Sequence, residues 1–240
     1  MFIEKLRMKL SPFKKTRKRL RQKFKQEQEL NNFQLISYSQ EGEDLIANSL
    51  LDEQALGFYV DVGAHHPYRF SNTAFFYKKG WSGINIDPLP GVKAIFDQHR
   101  PRDVNLEIGI SNLPQTLTYH MFKEPAYNGF CSVLAQERIE QGLESIGTKL
   151  VECATLGRVL NEHMPAGQNI DFLSIDAEGL DFAVLQSSDW EKYKPRLVII
   201  EILGAESVET IIDSDIYAYL KARDYSLAAK SLRSVFFKLR

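Results

Sequence analysis

Five short apolar runs constrain this chain more than any other feature: Phe58 to Val62, Ile84 to Ile86, Val104 to Ile108, Ile170 to Ile175 and Leu197 to Ile202. Each is rich in Val, Ile or Leu and reads as a strand buried on both faces. Helix-compatible segments separate them: Ser71 to Lys79, Pro90 to His99 and Asp181 to Trp190. Such alternation implies a mainly parallel sheet with helices on both sides, so the expected fold is α/β, a doubly wound Rossmann-like sheet. A chain of 240 residues suffices for one sizeable core of this kind.

The span from Gly109 to Asn169 breaks the rhythm. Thr116 to Phe122 alternates like a half-exposed strand, and Leu150 to Thr155 leads into a helix at Leu156 to His163. This span reads as an insertion carrying extra strands and a loop near the site. Farther on, Ser207 to Arg223 reads as a helix, and Tyr225 to Ala228 with Val235 to Leu239 as a closing antiparallel hairpin. Ahead of the first run, Ser39 suits an N-cap for a helix with Leu45, Ile46, Ser49 and Leu50 on one face, ending near Gly57.

Charge divides the chain. Residues 1–25 carry eleven Lys or Arg against Glu4, a balance of +10, so the chain's net of -1 leaves -11 on the remainder. Ile3, Leu6, Leu10, Phe13, Leu20 and Phe24 recur at helical spacing among these cations, a basic amphipathic pattern that Pro12 and Arg17 divide into two pieces. The expected organisation is a basic arm over residues 1–31, partly helical or disordered, and a single domain over 32–240. The arm suits an anionic membrane surface or a solvated tail. Nucleic acid is not an expected partner, because stacking aromatics are sparse and the body is acidic. No stretch approaches eighteen uninterrupted apolar residues, so no spanning helix is expected. Cys131 and Cys153 are too few for a disulfide framework or a thiolate zinc site and fit a reducing compartment. The expected location is therefore cytoplasmic, with the arm at the inner membrane surface.

In a doubly wound sheet ligands bind beyond the carboxyl ends of the strands, so the residues ending each run matter most. The first run ends in Asp61-Val-Gly-Ala-His-His, where Gly63 allows close backbone approach and a helix start can hold a carboxylate. The second ends at Asp87, twenty-four residues after Gly63, about where an acid grips ribose hydroxyls. The chain lacks both G-x-G-x-x-G and G-x-x-x-x-G-K-[ST], which counts against pyrophosphate ligands and favours a phosphate-free nucleoside such as S-adenosylmethionine. The fourth run ends in Asp176-Ala-Glu-Gly and the fifth in Glu201. Methyl transfer to an alcohol requires a hydroxyl to lose its proton, so Asp176 or His65 suits a general base, with Glu178 beside them. Asp176 and Glu178 would alternatively hold a divalent cation that orients a diol. The adjacent His65 and His66 diverge on a turn, and no histidine falls at ligand spacing, so no resident metal centre is expected.

Several of these motifs, in this order, closely resemble the FkbM family of methyltransferases. They are Tyr38-Ser-Gln-Glu-Gly-Glu-Asp-Leu-Ile, Phe58-Tyr-Val-Asp-Val-Gly-Ala-His-His-Pro, Ser71-Asn-Thr, Gly80-Trp-Ser-Gly-Ile-Asn-Ile-Asp-Pro and Asp171-Phe-Leu-Ser-Ile-Asp-Ala-Glu-Gly. The resemblance covers residues 36 to 240 and leaves the arm unexplained. It implies a class I, S-adenosylmethionine-dependent fold and O-methylation of a hydroxyl on a sugar, glycan or secondary metabolite. By the same resemblance Asp61, Gly63 and Ala64 would line the methionine end of the cofactor and Asp87 its ribose. Glu107 and Ser111 would approach the adenine, and Asp176 with Glu178 would form the reaction side. Asn72, in the Ser71-Asn-Thr motif, joins the candidate cofactor residues. Two other classes stay open: a metal-dependent sugar-nucleotide glycosyltransferase using Asp176 and Glu178, and a non-catalytic partner protein that keeps the fold.

Overall fold

The computed structural model describes residues 16–26, 29–30, 33–204 and 207–240. The chain divides into two compact units, Met1–Ile36 and Ser37–Arg240. In the first, residues 16–26 form helix α1, exposed along its whole length, with Leu20 and Phe24 each 62% exposed. The rest of the expected stripe, Ile3 to Phe13 with Pro12, lies outside the described residues.

The second unit begins with α2 (Glu43–Leu50), β1 (Phe58–Val62), α3 (Ala74–Lys79), β2 (Ser82–Ile86), α4 (Val92–His99) and β3 (Val104–Leu106). An insertion follows, with β4 (Gly109–Ile110), β5 (Gln115–Phe122), a 3-10 turn (Pro125–Tyr127), α5 (Ser132–Glu140) and β6 (Ser145–Ala154). The chain then continues through α6 (Leu156–His163), β7 (Phe172–Ile175), α7 (Asp181–Gln186), β8 (Leu197–Glu201), α8 (Val208–Ile212), α9 (Asp215–Lys221), β9 (Tyr225–Lys230) and β10 (Ser234–Leu239).

Seven strands form the main sheet in the order β3-β2-β1-β7-β8-β10-β9. Every pairing from β3 to β8 is parallel, and β10 runs antiparallel to both β8 and β9. This is the doubly wound sheet and closing hairpin expected from the sequence. The period-2 alternation of strands sorts side chains onto two covered faces. Val60, Val62, Leu173, Ile175, Val198 and Ile200 pack with α6, α7 and α9 through Leu156, Leu160, Val184, Leu185 and Leu220. Tyr59, Phe172, Leu197, Ile199 and Phe236 pack on the other face with Ala47, Leu51, Phe76 and Trp81.

Four expectations shift. The helix expected from Ser39 starts at Glu43 behind Gly42, whose φ of 87° starts the turn. Ser39 instead uses its hydroxyl on the Asp44 carboxylate, 3.0 Å away. Its buried face is Glu43, Asp44 and Ala47, while Ser49 is exposed, and it ends before the positive φ angles of Asp52 and Glu53 rather than near Gly57. The third run stops at Leu106, and the chain then crosses to a second sheet of order β4-β6-β5, in which β6 is longer than expected. Helix α5 buries only Ala135, so it carries no apolar stripe from which to read it. The segment 207–223 forms two helices, because the Ser214 hydroxyl accepts the Tyr217 N–H at 3.1 Å and starts a new one.

Candidate active site

The parallel strands open their carboxyl ends onto a cleft of about 460 Å³, a size suited to a small ligand. Gly63, the first residue beyond β1, has φ 83° and donates its N–H to the Ile86 carbonyl at 2.9 Å. A Cβ there would overlap the Asp176 carbonyl oxygen, so glycine is what lets the β1 and β7 turns meet. Asp87 holds this corner. One carboxylate oxygen accepts the His65 N–H at 2.7 Å, and the other accepts the Leu89 N–H at 2.8 Å. Burial pushes Asp87 up to about 6 despite these two donors. A carboxylate has roughly four acceptor positions, so two remain for a ligand.

Of the expected cofactor residues, Gly63, Asn72 and Asp87 line the cleft, whereas Asp61, Ala64, Glu107 and Ser111 do not. Asp61 is buried and accepts the Thr73 hydroxyl at 2.7 Å; that hydroxyl in turn accepts from the buried Arg100 at 2.8 Å. Burial raises the Asp61 pKa. Ala64 packs with Val92, Phe96 and Leu89 beneath the turn. Asn72 donates to the Ser174 hydroxyl at 3.1 Å. Glu107 is exposed and accepts the Gly91 N–H at 2.8 Å, and Ser111 is buried beside Gln115, also 2.8 Å away. Because the chain leaves the main sheet after Leu106, Ile108 and Ile110 line the cleft in place of Glu107 and Ser111.

The expected reaction residues Asp176, Glu178 and His65 all line the cleft, as does Glu201. Ile175 is paired with Ile200, so Asp176 and Glu201 leave adjacent strand ends side by side. Asp181 shapes the turn between them by accepting the Ala177 N–H at 2.8 Å and the Gly179 N–H at 3.1 Å. Glu178 occupies this turn at φ 49° and is paired with Arg138, which also donates to the Tyr127 carbonyl at 2.6 Å. The Asp176 carboxylate has no hydrogen-bond partner among the described residues. It is exposed to the cleft. Its pKa is raised well above the usual carboxylate range by desolvation, then by the negative charges of Glu201, Glu178 and Asp181. Desolvation and the same neighbouring acids push Glu201 up to about 7.

His65 is half-buried, its ring stacked on Phe70 at 6.3 Å, and desolvation together with Arg69 lowers its pKa. The imidazole is therefore neutral at pH 7. His66 accepts the Tyr68 and Arg69 N–H groups at 3.1 and 3.0 Å and so serves the turn. The insertion lines the cleft through Glu124, Tyr127, Asn128 and Phe130, and Arg69 forks onto Glu124 at 2.8 and 3.0 Å. Sequence reasoning missed Arg69, Glu124, Arg138 and Asp181. Asp181, an acid in the first turn of a helix just after the Asp176 turn, is a readable helix-start signal; the others owe their place to long-range contacts. Among the described residues no group of three His, Cys, Asp or Glu is arranged to hold a metal ion, and Glu178 is held by Arg138. The donor set gives a divalent cation at Asp176 and Glu178 no support.

No curated protein matches the chain. A solved structure of an O-methyltransferase from Bacillus cereus in complex with SAH is similar at 9% identity and a TM-score of 0.39, over 91% of this chain and 90% of that one. The family described as methyltransferase FkbM domain matches residues 61–227, a span running from Asp61 at the β1 tip through the cleft residues of β2, the insertion, β7 and β8 into β9. With well over half its length matched, the chain belongs to the FkbM methyltransferase family.

Proposed function

We propose that the chain is an S-adenosylmethionine-dependent O-methyltransferase acting on a hydroxyl of a sugar, glycan or secondary metabolite. The observation that carries this reading is the pairing, in one cleft, of the half-satisfied Asp87 carboxylate with the unpartnered Asp176 carboxylate. When bound, S-adenosylmethionine supplies a methyl carbon that leaves sulfur as an acceptor oxygen attacks it. Asp87 would receive the ribose hydroxyls on its two remaining acceptor positions, and the backbone around Gly63 the methionine end. Leu89, Ile108 and Ile110 offer an apolar wall for the adenine. Asp176 would take the proton of the acceptor hydroxyl as general base, with Glu201 beside it. Pairing with Arg138 makes Glu178 a positioning residue for the turn.

Incubating the protein and cell extract with methyl-labelled S-adenosylmethionine should yield a methylated product by mass spectrometry, and calorimetry should show cofactor binding. Asp87→Asn should weaken that binding about tenfold, the value of a lost hydrogen bond to a charged group. Unchanged affinity in the variant would remove the ribose assignment. Cofactor binding without any labelled product would favour a non-catalytic protein, and binding of a nucleotide sugar with manganese alone would favour a glycosyltransferase.

The arm is proposed to rest on an anionic membrane surface from the cytoplasmic side. Support comes from α1, where Arg17, Lys18, Arg19, Arg21, Lys23 and Lys25 flank the exposed Leu20 and Phe24. No helix among the described residues is long and apolar enough to cross a membrane. Each basic residue near such a surface adds about 1 kcal/mol. The full chain should float with vesicles of phosphatidylcholine and phosphatidylserine but not with phosphatidylcholine alone. A version starting at Asn31 should stay behind in both, and equal flotation of the two would retire the arm as the contact.

A further inference from the structure

The loop leading into α2, Tyr38-Ser-Gln-Glu-Gly-Glu-Asp, takes no part in cofactor binding or proton transfer as proposed. Its polar groups are almost all engaged in holding the loop still. The buried Asp44 accepts from the Ser37 hydroxyl at 2.7 Å, the Tyr38 N–H at 2.7 Å, the Ser39 hydroxyl at 3.0 Å and the Leu45 N–H at 2.8 Å. Glu43 accepts the Glu41 N–H at 2.8 Å. Further hydrogen bonds stitch the loop to the turn between β9 and β10, some 190 residues away. Glu41 accepts the Arg233 N–H and the Ser231 hydroxyl, each at 3.0 Å, and the Ser234 hydroxyl reaches Glu43 at 3.4 Å. Tyr38 lays its ring near Tyr68 at 6.3 Å.

The Gln40 amide is the exception. It is exposed, has no hydrogen-bond partner among the described residues, and lines the cleft together with Glu43, Arg233 and Ser234. Its position along the sheet is set by topology. Ser234 is paired with Glu201, and β8 neighbours β7, which Asp176 directly follows. The loop is therefore pinned two strand steps from Asp176, roughly 10 Å along the sheet. Asp87 is two steps away on the opposite side, through β1 to β2. The Tyr38 carbonyl also accepts the Ser71 N–H at 3.1 Å, so the loop is anchored on both sides, and a loop so held that displays one free amide to the cleft has the makings of an acceptor contact.

Resting on the methyltransfer reading, we infer that Gln40 is an acceptor-specificity residue, whose amide receives a second polar group of the acceptor beyond the reacting hydroxyl. A primary amide both donates and accepts, so the group it selects does the same, as a neighbouring hydroxyl does. The Asp44, Glu41 and Glu43 carboxylates act through Gln40 as positioning residues for the loop.

The test uses the full chain, labelled S-adenosylmethionine and a dilution series of cell extract as the acceptor source. Gln40→Leu should raise the extract concentration needed for half-maximal labelling about tenfold. Its maximal rate and calorimetric affinity for S-adenosylmethionine should match the wild type, because the Gln40 amide makes no hydrogen bond to Gly63, Asn72 or Asp87. Gln40→Glu, which keeps the shape but loses the amide donor and adds a charge, should be impaired in the same parameter. An unchanged half-saturation point, or a fall in maximal rate alone, overturns the inference. A wild-type chain that fails to bind the cofactor overturns the methyltransfer reading and this inference with it, and the calorimetric arm tells that failure apart.

Discussion

Asp176→Asn will lose turnover about a thousandfold while cofactor affinity stays at the wild-type value, the loss expected when a general base is removed. Asparagine matches aspartate in size and leaves the backbone bond from residue 176 to the Val62 carbonyl in place, so the turn keeps its shape. What it cannot do is take a proton. The pH dependence gives a second readout. Asp176 and Glu201 are adjacent acids whose pKa values are raised, Asp176 by desolvation and then by Glu201 and its neighbours, and Glu201 to about 7 by desolvation and then by Glu178 and Asp181. Their protons come off as a pair, and the ionised base is lost as pH falls. The wild-type kcat/KM should therefore decline on the acid side from near neutrality. Glu201→Gln removes a like charge beside Asp176, lowers its pKa, and should move that decline to more acidic pH. A profile that does not move would sink the coupling. If Asp176→Asn keeps full turnover and His65→Gln loses it, the base is the neutral imidazole across the cleft.

The acids at the strand tips were legible because a parallel sheet leaves little choice: every strand delivers its last residue to the same rim. Gly63, Asp87, Asp176 and Glu201 needed only the apolar runs to be found. Precision failed where the chain departs from the sheet. After Leu106 the backbone turns toward β4, so Ile108 and Ile110 line the cleft while Glu107 caps Gly91 and Ser111 is buried. Arg138 was invisible for a different reason. Its helix buries almost nothing, and its partner Glu178 lies 40 residues on, a contact with no local pattern. The start of α2 was misplaced because the Ser39 hydroxyl, which donates to the Asp44 carboxylate and accepts the Asp44 N–H at 3.3 Å, acts from outside the helix, whose first turn opens only behind Gly42.

Gly63→Ala should be the most damaging of the small substitutions, costing about 4 kcal/mol of folding stability and taking activity with it. Two effects add. At φ 83° an alanine costs roughly 1–2 kcal/mol in backbone conformation. The new methyl also overlaps the Asp176 carbonyl oxygen, a backbone atom that cannot swing aside as a side chain would, and overpacking of this kind costs about 1–3 kcal/mol. Relief requires the β1 and β7 turns to part. That motion pulls on the Gly63 N–H bond to Ile86, on the His65 N–H held by Asp87, and on the turn that presents Asp176. Chemical denaturation measures the first consequence and calorimetry with S-adenosylmethionine the second. Stability within about 1 kcal/mol of wild type, with cofactor binding kept, would show that the two turns are not wedged together and that the glycine serves only ligand approach. A large stability loss that S-adenosylmethionine partly restores would instead show one contact joining the fold to the site, since the ligand would rebuild the corner from its other side.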